Sequence, residues 1–286
     1  FESDAAAKEV DGFGLAVTTA SAYNLLKMSQ EDRTAILTEL FSPTDGAGSG
    51  LIRVSIGASD FCLKDEYTWC DTKGLENFAV AKEDKDYLFP VLKEIYAINP
   101  DVKIIGSPWS CPKWMKGGSY GYEKFDKQYL ERDFPNWTSG RLKPSCYAGY
   151  ATYFVKWIQT MQSEGFKIHA ITMKNEPLNH GNSMSMYMPW QDQKEFIKVL
   201  GPALKDAGLE KVKILLFDHN YNYDNKDDQR NYPLNIYADA QASKWAAGSA
   251  WHSYGGDVSE LDNIVTANPE KDIYFTEASI GEWNYN

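Results

Sequence analysis

Short apolar runs alternate with longer amphipathic stretches along the whole chain. Each run is rich in β-branched or aromatic residues and is bounded by turn-forming residues, as buried parallel strands are. This pattern predicts seven strands, at residues 10–18, 51–56, 103–106, 168–173, 212–217, 249–252 and 273–276.

The stretches between these strands carry apolar residues at spacings of three and four, which indicates helices with one buried face. The clearest stripes lie at residues 87–96, 147–161 and 196–204. Ser29 predicts a helix start, and Asn99, which precedes a proline, predicts a helix end. We expect these stripes to pack against the core and assign them no role in binding.

Strands that alternate with helices predict an α/β fold with a parallel sheet, and this number of units favours a (β/α)8 TIM-type barrel over an open sheet. Two long loops, at 58–83 and 107–145, follow strand carboxyl ends, where a barrel builds its active site. We therefore expect one catalytic barrel over residues 1–286. Because a closed barrel of this type needs an eighth strand, we expect this one to be incomplete at its C-terminal end.

Two glutamates follow strands at positions suited to acid–base chemistry. Glu176 stands between an asparagine and a proline directly after the strand at 168–173, and the proline ends the regular structure. Glu277 follows the strand at 273–276 in the same way. In a barrel both carboxylates reach one rim, as glycoside hydrolysis requires, because one protonates the leaving oxygen while the other attacks the anomeric carbon or activates water. Either glutamate alone is more typical of an ordinary exposed loop residue, whereas two at strand ends on opposite sides of a barrel favour the catalytic interpretation.

Other polar and aromatic residues share this position after a strand, where hydroxyl-rich ligands need convergent donors and acceptors beside an aromatic platform. His252 taken alone fits a structural histidine as well as a ligand contact. Arg53 lies inside the second strand and, if it points inward, needs a carboxylate partner such as Glu176 or Glu277. The remaining candidates for substrate contact are Asp60, Trp109, Asp218, His219, Asn220 and Tyr254.

Composition narrows the choice of ligand. The net charge is −11, from 40 acidic and 29 basic residues, which argues against nucleic acid and anionic membranes as partners. No run of eighteen apolar residues that could span a membrane occurs, and residues 1–9 lack the pattern of an intact signal peptide. The aromatic content of 14% fits either an aromatic-rich core or a sugar-binding surface.

Competing chemistries receive less support. Four cysteines, Cys62, Cys70, Cys111 and Cys146, show no metal-binding spacing, which argues against a zinc site. Asp218, His219 and His252 could suggest a metal, but their spacing does not support one, and we predict no metal and no cofactor. A Cys62–Cys70 disulfide remains open, although buried free thiols are favoured. The residues at 117–121 match the G-x-S-x-G pattern of a serine hydrolase, but the segment before them is a poor strand, whereas that motif must follow one.

The motifs together resemble glycoside hydrolase family 30, which includes glucosylceramidases and endo-β-1,6-glucanases. Matching stretches run in order over nearly the whole chain. They lie at residues 12–14, 18–23, 53–61, 107–110, 112–116, 174–177, 251–256 and 275–278. Segments 182–188, 217–220 and 252–256 look more like the β-1,6-glucanase branch.

The resemblance implies a retaining mechanism, with Glu176 as general acid/base and Glu277 as nucleophile. Retention implies that the two carboxyl groups lie roughly 5–5.5 Å apart, and an acid that works near neutrality needs a raised pKa at Glu176. The resemblance also implies that Asn175 hydrogen-bonds the sugar 2-hydroxyl. The terminal glucose site would be lined by Asp60, Trp109, Asn175, His252 and Tyr254.

The chain also departs from the family pattern. Members usually carry an eighth barrel strand and a β-sandwich, neither of which we expect from residues 1–286, and Lys174 stands where Gln is common. We expect a hydrolase of β-1,6-linked glucan that is secreted, periplasmic or at the cell surface. The alternatives are a glucosylceramidase or another β-glucosidase or β-xylosidase, and a truncated, inactive carbohydrate-binding fragment.

Overall fold

The computed structural model describes residues 9–63, 65–118 and 127–279. Seven parallel strands form one sheet in the order β1-β2-β3-β6-β7-β8-β9, and two short strands, β4 and β5, pair antiparallel outside it. The bounds are β1 Gly14–Ala16, β2 Leu51–Ser55, β3 Lys103–Ser107, β4 Lys116–Gly117, β5 Arg141–Leu142, β6 Ile168–Thr172, β7 Lys213–Asn220, β8 Ala246–His252 and β9 Asp272–Glu277.

All seven predicted sheet strands are confirmed, with ends that differ by a few residues. The first strand keeps only three of its nine predicted residues, because it pairs with β2 over that stretch alone. β7 runs three residues further than predicted, through Asp218 to Asn220. The sequence did not predict this extension because its residues are polar, whereas strands are predicted from apolar runs.

Helices connect the strands. Ser29 caps α2 as predicted, since its hydroxyl accepts a hydrogen bond from the Asp32 amide. A π-helical turn, Asp84–Leu88, leads into α3, which ends with Asn99 as its C-cap. The helices are α1 Thr19–Lys27, α2 Gln30–Phe41, α3 Phe89–Ile98, α4 Lys127–Leu130, α5 Tyr147–Ser163, α6 Trp190–Asp206, α7 Tyr232–Tyr237, α8 Ala240–Ser243 and α9 Glu260–Ala267.

Two apolar layers hold the sheet. Outside it, the helix stripes pack against the strands in a large core that includes Phe154, Trp157 and Phe196. On the inner side a smaller cluster is contributed by five successive strands: Ile105, Ala170, Leu215, Ala250 and Tyr274. These inner residues form a floor below the carboxyl ends of the strands.

The sheet does not close within the part of the chain that the structure describes. β1 pairs only with β2, and β9 pairs only with β8. Residues of both edge strands line a cavity of about 710 Å³ that runs up to Arg53 and Glu277. The sheet is therefore an incomplete barrel, open between its first and last strands and beside one of the two candidate carboxylates.

Two alternatives from the sequence can be placed on this fold. The four cysteines are free thiols, so Cys62 and Cys70 are not bridged in the structure. Gly117 belongs to the antiparallel pair β4–β5, not to a strand-to-helix turn, which does not fit a serine hydrolase elbow. Residues 119–121 of that motif lie outside the described residues.

Candidate active site

Side chains from six neighbouring strands converge at the carboxyl end of the sheet, because parallel strands present the same ends to one rim. Arg53 comes from β2 and Asp218 from β7, while Asn175 and Glu176 follow β6. Glu277 is the last residue of β9. Sequence positions up to 224 residues apart are joined there by direct hydrogen bonds.

Arg53 points into the barrel and is 8% exposed. Its Nη1 donates to Glu277 Oε2 at 2.7 Å, and its Nη2 donates to Asp218 Oδ2 at 2.9 Å and to Asn175 Oδ1 at 2.7 Å. Burial lowers the pKa of Arg53, but the charges of Asp218 and Glu277 outweigh burial and raise it. Of its two predicted partners, Glu277 bonds to it, while the second carboxylate is Asp218 and not Glu176.

Asp218 is fully buried and lies at the centre of this network. It accepts hydrogen bonds from residues of five other strands. Burial raises the pKa of Asp218, but Arg53 and the hydrogen bond from His252 outweigh it and hold the carboxyl well below its usual range. The bonded atoms belong to Arg53, Ser107, Thr172, His252 and Thr276.

His252 bridges two acids. Its Nε2 lies 3.0 Å from Asp218 Oδ1 and its Nδ1 lies 3.3 Å from Glu176 Oε1. Burial lowers the pKa of His252, but the hydrogen bonds to Asp218 and Glu176 outweigh burial and raise it to about 9. The imidazole is therefore protonated near neutrality, and both nitrogens donate.

Glu176 is held from two sides. Asn179 Nδ2 donates to its Oε2 at 2.9 Å, opposite the contact with His252. Burial raises the pKa of Glu176, but the hydrogen bond from His252 and the neighbouring imidazoles outweigh burial and lower it to about 2. The raised pKa expected for Glu176 is therefore wrong for this structure, because the sequence did not show that a cationic histidine contacts this carboxylate.

Glu277 faces Glu176 across the site. Tyr254 donates from its hydroxyl to Glu277 Oε1 at 3.1 Å, while Arg53 binds the other oxygen. One oxygen of Glu176, one nitrogen of His252 and one oxygen of Glu277 all lie within 4.8 Å of one another. This separation is compatible with the short spacing of retaining glycosidases and lies below the roughly 6.5–9.5 Å of inverting ones.

Three predicted contact residues border this pair. Asn175 is buried, and the bond from Arg53 to its Oδ1 leaves its Nδ2 to donate to a ligand. Trp109 lies with its ring 5.1 Å from the Arg53 guanidinium carbon, half-buried at the rim. Asp60 is exposed at the start of the long loop after β2. Partial desolvation, followed by the charges of Glu277 and Glu176, raises the pKa of Asp60.

His219 is a second buried histidine beside Glu176. It is 1% exposed, and its Nε2 lies 3.9 Å from Glu176 Oε1. Burial lowers the pKa of His219 to about 3, so the ring is neutral near neutrality. Its contact with the substrate stays a prediction, and the structure places its ring beside Glu176.

Glu176, His252 and Glu277 have the spacing of metal ligands. The His252 ring, however, already bonds two carboxylates and carries a proton near neutrality, whereas a metal requires a neutral imidazole. The donor set therefore fits a hydrogen-bonded acid network better than a metal centre, and the absence of a metal cofactor stays a prediction.

Sequence reasoning missed part of this network. Asp218 was grouped with its neighbours after a strand, yet it is the buried anion that organises Arg53 and His252. Its backbone has a φ of 74°, at an irregularity in the pairing of β7 with β8. An aspartate directly after four consecutive apolar strand residues was the available signal. The hydroxyls of Ser107, Thr172 and Thr276 gave none, because such residues are common at strand ends.

Comparison with known families identifies the family of this barrel. The profile of the glycosyl hydrolase family 30 TIM-barrel domain matches residues 10–286. The chain belongs to glycoside hydrolase family 30. The incomplete (β/α)8 barrel is the barrel of this family, and the candidate site lies at the carboxyl ends of its strands, where TIM barrels carry their active sites.

The relatives of this family 30 chain differ in similarity. A solved structure, the endo-β1,6-glucanase BT3312, is 55% identical with a TM-score of 0.92, and the match covers 97% of this chain and 59% of that one. The endo-1,6-β-D-glucanase of Neurospora crassa is 35% identical over 94% of this chain and 53% of its own length. The lysosomal acid glucosylceramidase of Mus musculus is 28% identical over 86% of this chain and 46% of its own length.

The family 30 chain thus spans about half the length of the curated relatives it matches. Among the described residues, no helix is both long and apolar enough to cross a membrane.

Proposed function

We propose that this chain is the catalytic barrel of a retaining endo-β-1,6-glucanase, with Glu277 as nucleophile and Glu176 as general acid/base. The observation that carries the proposal is the pair of carboxylates at the rim of a family 30 barrel, with one oxygen of each within 4.8 Å of the other. The two acids have different partners. Arg53 and Tyr254 bind Glu277, whereas His252 and Asn179 bind Glu176.

These partners suit the two roles. The hydrogen bonds from Arg53 and Tyr254 keep the Glu277 carboxylate oriented, so that one oxygen can attack the anomeric carbon. The glycosidic C–O bond then breaks, and the leaving oxygen takes a proton from Glu176. In the second step Glu176 removes a proton from water, which attacks the glycosyl ester and releases Glu277.

The source of the first proton needs an explanation, because the pKa of Glu176 is lowered to about 2 and the carboxyl group is therefore ionised near neutrality. A bound sugar displaces water from the rim, which disfavours the charged form of Glu176. His252 already donates to Glu176 Oε1 and carries a proton near neutrality. We propose that His252 and Glu176 share one proton, which moves onto Glu176 as the leaving oxygen draws it away.

The choice of β-1,6-glucan rests on the relatives. The 55% identical structure and the fungal sequences at 32–35% identity are named endo-1,6-β-glucanases. The glucosylceramidases are more distant, at 28–29%. Because a glucan polymer lies outside cells, we propose that the enzyme acts in a secreted, periplasmic or cell-surface setting.

The test is hydrolysis of linear β-1,6-glucan, with the configuration of the first products followed by ¹H NMR. We expect oligosaccharides released as the β-anomer, and at least about a thousandfold loss of rate in Glu277→Gln and in Glu176→Gln, because each removes a reacting carboxyl group. Glu210→Gln, an exposed glutamate before β7, is the matched control and should retain full activity.

The outcomes separate the alternatives. First release of the α-anomer would contradict retention. Cleavage of glucosylceramide in preference to the glucan would indicate that the chain is a glucosylceramidase. A folded chain that binds glucan oligomers but cleaves neither the glucan nor an aryl β-glucoside would support the inactive-fragment alternative, which the opening beside Glu277 motivates.

A further inference from the structure

Lys174 is a buried cation directly beneath Glu176. It follows β6, is 1% exposed, and lines the small polar recess beside Glu176 together with Asn179. Its Nζ donates to the carbonyl oxygen of Asn175 and lies 3.4 Å from that of Glu176. A buried ammonium is unfavourable unless it is hydrogen-bonded, and here carbonyl oxygens are the bonded acceptors.

The backbone that Lys174 contacts is in an unusual conformation. Glu176 has a φ of 47°, in the left-handed region that non-glycine residues seldom adopt. Such a conformation persists only where surrounding contacts enforce it. At Glu176 the amide donates to Asp218 O at 2.9 Å, and the carbonyl accepts from the Asn179 amide at 3.0 Å. Lys174 is the side chain that completes this set.

Charged groups surround Lys174 on several elements. Burial lowers the pKa of Lys174 to about 8, and the charge of Arg53 acts in the same direction. The charges of Glu176, Asp218 and Asp60 oppose this shift. The ammonium therefore stays largely protonated near neutrality. The charge of Lys174 also acts on Lys116 and His219.

We propose that Lys174 is a positioning residue for Glu176: its ammonium fastens the Asn175 and Glu176 carbonyls and so fixes the left-handed turn that aims the carboxylate at His252. This inference rests on the proposed role of Glu176 in catalysis. The side chain acts through the backbone of Glu176 and does not contact the substrate.

The test compares Lys174→Met with Lys174→Gln. Both variants lack the charge, but only the glutamine amide can still donate hydrogen bonds to the two carbonyls. The difference between the variants therefore reports the loss of these hydrogen bonds and not the loss of the charge. We expect kcat on β-1,6-glucan to fall at least tenfold more in Lys174→Met than in Lys174→Gln, with KM changing less than threefold between them. Lys116→Met removes another buried ammonium that bonds two carbonyls, and should leave kcat within about threefold of wild type.

A second readout needs no activity. The chain contains four histidines, and the His252 resonance can be assigned by its loss in His252→Gln. If Glu176 turns away in Lys174→Met, His252 loses an anionic neighbour, and its pKa should be at least half a unit lower there than in Lys174→Gln. Thermal melting of each variant verifies that it is folded.

The outcomes distinguish this inference from the proposed function. Equal His252 pKa values and equal kcat values in the two lysine variants would overturn the positioning role while leaving the glucanase intact. A lower His252 pKa in Lys174→Met, in a chain that cleaves no glucan, would support the positioning role and count against the proposed function. The same effects in Lys116→Met would overturn the inference, since any buried lysine would then suffice.

Discussion

Asp218 accepts hydrogen bonds from side chains on five strands other than its own. The sequence placed it at the rim but could not reveal this role, because its partners are distributed over residues 53 to 276. Glu176 and Glu277 could be placed in advance, since each follows an apolar strand within a recognisable motif. At the residue scale, the positions of the acids were predictable, whereas their hydrogen-bond partners and the lowered pKa of Glu176 were not.

Asp84 illustrates the same limit away from the site. It lies in the charged stretch at 82–86, yet its side chain is 1% exposed and accepts hydrogen bonds from Trp69 Nε1 at 2.5 Å and from the Tyr67 hydroxyl at 3.0 Å. Burial raises the pKa of Asp84 to about 7, even though both hydrogen bonds oppose the rise. No cation is among the causes of this shift.

This buried acid predicts a pH-dependent stability. Because the folded pKa lies above the unfolded value of about 3.9, the folded protein keeps a proton that the unfolded chain releases, and the stability present below pH 4 is lost as the pH rises through 7. Between pH 4 and pH 7 the free energy of unfolding should therefore fall by up to about 4 kcal/mol more in wild type than in Asp84→Asn. Urea denaturation at pH 4, 5.5 and 7 measures it, with the exposed Asp86→Asn as control. Parallel stability curves for wild type and Asp84→Asn would contradict the prediction.

At the scale of elements, hydrophobic periodicity predicted the sheet strands and the long helices, because each buries one face in the two apolar layers. It did not predict the π-helical turn before α3 or the irregularity in β7. Both depend on tertiary contacts rather than on local pattern. Hydrophobic periodicity also does not predict where two elements pack closely together, as two helical glycines show.

Gly201 and Gly149 both lie inside helices, where alanine is normally favoured by about 1 kcal/mol. A Cβ at Gly201 in α6 would lie 2.2 Å from the Trp245 ring, whereas one at Gly149 in α5 would lie 3.6 Å from Met115 Cε. We expect Gly201→Ala to reduce the free energy of unfolding by roughly 1–3 kcal/mol, and Gly149→Ala to increase it by about 0.5–1 kcal/mol. Chemical denaturation measures both, and a stabilising Gly201→Ala would show that α6 is not packed as described.

At the scale of the whole molecule, the strand count already predicted an incomplete barrel. The structure adds where the opening lies: between β1 and β9, alongside Arg53 and Glu277. The sequence could not supply that location in three dimensions, because it depends on how far the sheet curls. The proposed nucleophile therefore stands on an edge strand, while Glu176 follows a strand bonded on both sides.

The opening predicts uneven protection of backbone amides. β7 is buried over most of its length and pairs with two strands, whereas β9 is largely half-buried and pairs with one. In hydrogen exchange followed by mass spectrometry, peptides from β9 should exchange at least about tenfold faster than those from β7. Equal protection of both strands would mean that a further segment covers the β9 edge.

The most direct test of the account is to trap the glycosyl-enzyme. An activated 2-deoxy-2-fluoro-β-glucoside slows breakdown of the covalent intermediate, and peptide mass spectrometry then locates the added sugar. We predict one fluoroglucosyl group per chain, attached to Glu277 and absent in Glu277→Gln. Attachment to another carboxylate, or hydrolysis of β-1,6-glucan by Glu277→Gln at the wild-type rate, would contradict the assignment of the nucleophile and with it the proposed mechanism.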